Sequence, residues 1–190
     1  TGSDGGTCAA CLAGTYKIDT GSDACVECGS GKYSTTVGAT SDVCEACPAN
    51  SIAPQGSEGQ TDCKCNAGYT GSDGGTCTAC VAGKYKIGTG SGTCTDCEAG
   101  TYSTTVGATS DVCQACPANS IAPQGSDVPS DCTCDAGYTG SDGGTCTACV
   151  AGKYKISTGS NACTDCGSGK YSTTVGATSD VCEACPANSI

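Results

Sequence analysis

The chain has 190 residues, 22 of them Cys, and a net charge of −11 with no Arg and no His. Leu, Ile, Val and Phe together number only 17, far below the ~20 per cent of a chain at which an ordinary apolar core becomes hard to build. A conventional globular domain is therefore excluded. So is a protein that grips phosphate backbones, and no nucleic-acid partner is expected.

A Cys fraction above ~8–10 per cent marks a disulfide scaffold, which needs an oxidising compartment. An extracellular or cell-surface location is expected. No apolar run approaches the ~20 residues that span a membrane, so no membrane span is expected in this segment, and no signal peptide is visible.

The cysteines fall at 8, 11, 25, 28, 44, 47, 63 and 65, and the series returns every 69 residues. Residues 1–69 form repeat unit 1 and 70–138 repeat unit 2, which align without a gap and differ at 18 positions. Residues 139–190 form an incomplete repeat unit 3 that stops after 52 residues. Thr1-Gly2-Ser3-Asp4 follows Gly-Tyr in the later copies, and the end at Ile190 continues as Ala-Pro-Gln-Gly-Ser in the earlier ones. The frame predicts a window onto a longer tandem array.

Along one unit, four related motifs follow each other. Cys11-Leu12-Ala13-Gly14-Thr15-Tyr16 is followed by Cys28-Gly29-Ser30-Gly31-Lys32-Tyr33. Cys47-Pro48-Ala49-Asn50-Ser51-Ile52 is a variant with Asn for Gly and Ile for Tyr, and Cys65-Asn66-Ala67-Gly68-Tyr69 is a shortened fourth copy. Each motif predicts a Cys, a Gly turn, a short strand and a second turn. Tyr16 and Ile18 alternate with Lys17, the period-two signature of a half-exposed strand. Gly21-Ser22 and Gly38-Ala39 supply turns. No segment has helical periodicity. The expected fold class is small and disulfide-rich, with short β-strands, turns and coil, in an elongated rod of tandem repeats with little hydrophobic core.

C-x2-C pairs such as Cys8 to Cys28 resemble four-Cys zinc spacing. The missing His, a total that does not divide by four, and the C-x-C at Cys63 and Cys65 argue against zinc, and no metal site is expected. Redox catalysis by C-x-x-C needs a depressed thiolate pKa in a thioredoxin-like setting, which a Gly-rich, helix-free chain does not offer. Structural disulfides remain. Two pairings stay open. One joins Cys8 with Cys25 and Cys11 with Cys28, closing within the unit. The other closes each motif onto the next. It pairs Cys11–Cys25, Cys28–Cys44, Cys47–Cys63, Cys65–Cys77, Cys80–Cys94, Cys97–Cys113, Cys116–Cys132, Cys134–Cys146, Cys149–Cys163 and Cys166–Cys182, and leaves Cys8 and Cys185 to partners outside the window. A bridge closing ~15 residues contributes about 3 kcal/mol in the chain-entropy account, which would offset much of the missing core.

The succession C-x2-C-x2-G-x-Y-K, C-x2-C, C-x-A-C-P-x-N-S and C-x-C-x2-G-Y resembles the cysteine-rich region of ephrin receptors. Pro48-Ala49-Asn50-Ser51 and Cys63-Lys64-Cys65-Asn66-Ala67-Gly68-Tyr69 carry the likeness most specifically. Cys63 to Cys77 also resembles the end of an EGF-like domain, and Cys80 to Cys94 the first module of tumour-necrosis-factor-receptor domains. Both resemblances imply the sequential pairing. The calcium-binding EGF consensus is missing, and ephrin signalling is not implied. Similar repeats occur in large surface proteins of algae and other protists, including cell-coat antigens, and the near-identity of the units looks like that usage.

Without His and without unpaired Cys, the common nucleophile–base arrangements are missing, and no enzyme is expected. No cofactor is expected beyond covalent O-glycans. Asp4, Asp73 and Asp142 sit in Asp-Gly turns, whose ordinary role is the turn itself. Asn50, Asn119 and Asn188 precede Ser-Ile and miss the N-x-S/T sequon. Ser and Thr make up 48 residues. The recurring Tyr-Ser-Thr-Thr-Val makes Thr35, Thr36, Thr104, Thr105, Thr173 and Thr174 candidates for O-glycosylation. The expected function is structural: a subunit of a surface fibre or filament of flagellar-hair or cell-coat type, whose partners are copies of itself. The alternative is a stalk or adhesive ectodomain of a cell-surface receptor or antigen. The Tyr side chains, the largest apolar groups, are expected to pack on disulfides or between filament strands.

Overall fold

The structure, a computed structural model, describes residues 1 and 6–187. Its regular structure is a series of two-stranded hairpins with two-residue strands. In the first repeat, Thr15–Tyr16 pairs with Val26–Glu27, Lys32–Tyr33 with Glu45–Ala46, and Ser51–Ile52 with Lys64–Cys65, all antiparallel. Tyr69–Thr70 then pairs with Thr78–Ala79. The same four return as Lys84–Tyr85 with Thr95–Asp96, Thr101–Tyr102 with Gln114–Ala115, Ser120–Ile121 with Thr133–Cys134, and Tyr138–Thr139 with Thr147–Ala148. Lys153–Tyr154 with Thr164–Asp165 and Lys170–Tyr171 with Glu183–Ala184 follow. The helical residues among those described are two 3-10 turns, Gln60–Asp62 and Pro129–Asp131. The fold is thus a small, disulfide-rich series of repeated hairpin modules.

The hairpins explain the cysteine spacing. Val26–Glu27 is the pair of residues between Cys25 and Cys28, and Glu45–Ala46 the pair between Cys44 and Cys47. A C-x2-C therefore brackets a two-residue strand. One Cys closes backward and the other forward, so the bridges run as a chain.

The Gly of each motif turns the backbone into its strand. Gly14 and Gly31 have φ of 74° and 78°, and Asn50 and Asn119 take the same left-handed conformation at 61° and 62°. Asn tolerates that region better than other non-Gly residues, which is why the third motif can replace its Gly. The same Gly laces its module to the next one. Gly14 N–H donates to Ser34 O at 2.8 Å, and Gly31 N–H to Ala53 O at 2.8 Å. Tyr16 and Ala39 form a parallel bridge, as do Tyr33 and Ser57. Backbone bonds between modules thus replace side-chain packing.

The core has an unusual composition. Among the described residues, its buried apolar members are eleven Cys, five Ala and Tyr33. Most aliphatic side chains face outward, as at Leu12, Ile18, Val37, Ile87, Val106 and Ile156, while Val43, Val112 and Val181 are half-buried. Two compact units divide the chain: Thr1–Cys80 with Tyr85–Thr95 and Gly107–Ser110, and Val81–Lys84 with Asp96–Val106 and Asp111–Ile190.

The strand expected over Tyr16 to Ile18 ends at Tyr16. Lys17 N–H leaves the hairpin to donate to Ala39 O at 3.0 Å. At the equivalent places Lys86 and Lys155 are buried, while Ile87 and Ile156 are exposed. The polar residue goes inside because carbonyls of Tyr69 and Tyr138 wait for it there.

Candidate functional site

Ten bridges are formed in the structure. In the first repeat they are Cys11–Cys25, Cys28–Cys44, Cys47–Cys63 and Cys65–Cys77. Next come Cys80–Cys94, Cys97–Cys113, Cys116–Cys132 and Cys134–Cys146. Cys149–Cys163 and Cys166–Cys182 complete the set. Their Cα–Cα distances lie between 5.5 and 5.8 Å, within the usual disulfide range. The sulfurs of these C-x2-C pairs are therefore spent on bridges and are not thiolates. Among the described residues, no cluster of three or more His, Cys, Asp or Glu is arranged to hold a metal ion.

Cys8 and Cys185 are exposed free thiols. Cys8 borders a groove with Cys11, Lys17, Ile18, Gly38 and Ala39. At the places equivalent to Cys8, Cys77 and Cys146 are bridged, and at those equivalent to Cys185, Cys47 and Cys116 are bridged.

The candidate hydroxyls divide by burial. Thr35, Thr36, Thr104, Thr105, Thr173 and Thr174 are all exposed. Ser34 and Ser103, just before them, are buried. The hydroxyl of Ser34 accepts from Thr36 N–H at 3.2 Å, and Ser103 accepts likewise from Thr105. The Ser shapes the turn and the Thr pair is presented to solvent.

Tyr33 lies against Ala53 and Cys63, with Cys47 beside them, so its ring packs on the Cys47–Cys63 bridge. Its O–H donates to Glu45 Oε2 at 2.9 Å. That bond favours the neutral phenol and holds the Tyr33 pKa above its ordinary value, with burial and the Glu45 charge adding to the effect. Tyr171 is exposed, and the other Tyr rings are half-buried.

Two buried ammonium groups have no counterpart in the sequence expectations. Lys86 Nζ donates to Tyr69 O at 2.6 Å and to Gly90 O, and Lys155 Nζ to Tyr138 O at 2.7 Å and to Gly159 O. Each ties the fourth motif of one repeat to the first motif of the next. Lys17, at the same place in the first repeat, is only partly covered and donates to Gly21 O and Asp23 O. The signal that could have found them is the recurrence of Tyr-Lys-Ile beside a Gly-rich turn.

Asp73 pairs with Lys64 at 2.5 Å. In the next repeat Thr133 and Asp142 stand at the places of Lys64 and Asp73. Asp4 and Asn188 lie outside the described residues.

The bridged hairpins, laced backbone to backbone and repeated, define a class: tandem cysteine-rich modules whose small core is built mainly of Cys and Ala. The family described as tyrosine-protein kinase ephrin type A/B receptor-like matches residues 1–43, 68–112 and 137–181. These matches cover well over half of the chain, which belongs to that ephrin-receptor-like family. No curated protein matches it significantly. No helix among the described residues is long and apolar enough to cross a membrane.

Proposed function

We propose that this chain is a structural extracellular protein, a subunit of a surface fibre or filament of flagellar-hair or cell-coat type. It acts without catalysis and without a bound cofactor, and its partners are copies of itself. The observation that carries this reading is the inverted composition. Sulfur and Ala make up most of the buried apolar residues, while large aliphatic side chains at three recurring places, Leu12, Ile18 and Val37 in the first repeat, face outward. Such a module keeps its form by covalent closure, so its surface is free to be sticky. Near-identical repeats give equivalent contacts, which open-ended assembly requires.

In this reading Cys8 and Cys185 pair with cysteines of neighbouring repeats, and the exposed Thr pairs carry O-glycans. Intact mass of native material tests the glycans; agreement with the bare polypeptide removes them. Electron microscopy of the oxidised, native protein tests the assembly. Fibres or laterally associated strands are expected, and dispersed particles at every concentration would overturn the filament reading. The receptor-like family favours a second reading, a stalk or adhesive ectodomain. It requires a divergent domain in the complete reading frame, whereas repeats throughout would exclude it.

A further inference from the structure

We infer that each repeat is a covalent tension link, whose greatest length is fixed by its bridges and is released by a small thiol. The observation that carries it is the order of pairing. Each bridge among the described residues joins a cysteine to the next cysteine along the chain, so no bridge encloses or crosses another. Cys11–Cys25, Cys28–Cys44, Cys47–Cys63 and Cys65–Cys77 close over sequence separations of 14, 16, 16 and 12. The next four bridges repeat those values. What lies between bridges is short: Val26–Glu27, Glu45–Ala46, Lys64 alone, and Thr78–Ala79. Pull along the chain therefore passes through a bridge and a connector in turn, and leaves each loop slack. This holds for a fibre subunit and for a stalk alike, so it goes beyond both readings.

Chain geometry sets the lengths. A fully extended residue spans at most ~3.3–3.6 Å, and the bridges span 5.5 to 5.8 Å between Cα atoms. Pull can undo the hydrogen bonds between modules, which are not covalent. A bridged 69-residue repeat then stops at roughly 60 Å, against roughly 240 Å for the same repeat without bridges. Opening one bridge returns about 35–50 Å.

Burial orders the release. In the first three bridges of a repeat one cysteine is buried and its partner half-buried: Cys11 with Cys25, Cys28 with Cys44, and Cys63 with Cys47. In the fourth both are buried, Cys65 at 0% and Cys77 at 7% exposure, and Cys134 and Cys146 repeat those figures. Gly71 and Gly140 lie against the sulfur, since a Cβ built on either would stand 3.3 Å from Sγ of Cys65 or Cys134. Thiol–disulfide exchange depends on access to the attacked sulfur. The thiolate of glutathione thus attacks Sγ of Cys25, Cys44 or Cys47. The S–S bond breaks, and Cys11, Cys28 or Cys63 leaves as a thiolate and takes a proton. A second glutathione thiolate attacks the mixed disulfide and releases the protein thiol and glutathione disulfide. One bridge is reduced and two glutathiones are oxidised. At rest a repeat gives up these three loops first, and the bridge that joins it to the next repeat opens last.

The test is single-molecule force extension of the oxidised 190-residue chain, held at its two ends. Cys8→Ser and Cys185→Ser remove the two free thiols, which would otherwise exchange with the bridges. The expected contour length is about 200 Å, rising to about 660 Å after full reduction. With glutathione present under constant pull, the length should grow in steps of about 35–50 Å. A second measurement takes the same chain at rest through limited reduction by glutathione, alkylation with iodoacetamide and peptide mapping. Cys25, Cys44 and Cys47 are expected to react at least tenfold faster than Cys65 and Cys77. An oxidised chain that extends well beyond about 200 Å overturns the tension link. Equal rates at rest overturn the order of release. Either failure leaves the filament reading standing, since electron microscopy decides that separately.

Discussion

Lys155 shows how a residue that composition marks as surface becomes part of the interior. Its ammonium donates to the carbonyls of Tyr138 and Gly159, and hydrogen bonds to charged groups contribute about 1.5–3 kcal/mol each. Lys155→Met leaves those carbonyls unpaired and should lower stability by about 2–3 kcal/mol. Lys17→Met, at a less covered site, should cost under about 1 kcal/mol. Denaturation midpoints under oxidising conditions compare the two. Tyr33 makes the second case. Its phenol pKa is raised by the bond to Glu45, so the neutral form is the one the fold favours. The contribution is complete below the unfolded Tyr pKa of about 10 and is lost as pH climbs through the raised folded value. Absorbance at alkaline pH should show Tyr33 ionising later in the native protein than in Glu45→Gln, and coincident titrations would contradict this. Neither role was legible in the sequence, because Lys155 depends on a carbonyl that the preceding motif delivers at Tyr138, and Tyr33 on the hairpin register that sets Glu45 opposite it.

Each element is a hairpin too short to be stable in isolation, and its neighbours make it possible. Gly14 shows the constraint. Its φ is positive, and a Cβ there would meet Gly56 O at 2.2 Å, two modules along the chain. Gly83 meets Gly125 O in the same way, whereas Gly31 has nothing within 4 Å of a built Cβ. Gly31→Ala should therefore cost only the left-handed backbone penalty of about 1–2 kcal/mol. Gly14→Ala adds a collision with backbone and should cost more than about 3 kcal/mol, read as a lower denaturation midpoint of the oxidised protein. Equal effects would contradict the close approach. The turn at each Gly was legible from the motif, and so was the Asn50 variant. The contact reaching across two modules was not, since the four motifs look alike in sequence while only some of their glycines face another backbone.

At the scale of the whole molecule, a 69-residue period and a chain of bridges stand in for an apolar core. The period was open to inspection because the cysteines recur without a gap. The pairing was constrained rather than fixed, since a C-x2-C can close either within or beyond its motif. It becomes intelligible once Val26–Glu27 is seen as a strand between Cys25 and Cys28, which sends the two sulfurs to different neighbours. The outward aliphatic residues escaped notice, because their period matches that of any other repeated residue and nothing in sequence distinguishes a repeated core position from a repeated surface one. Sequential bridging is the scaffold. Peptide mapping of the native, unreduced protein by mass spectrometry tests it most directly. Peptides joining Cys11 to Cys25, Cys28 to Cys44, Cys47 to Cys63 and Cys65 to Cys77, and the equivalent pairs in later repeats, are expected. Peptides joining Cys8 to Cys25 and Cys11 to Cys28 would contradict it.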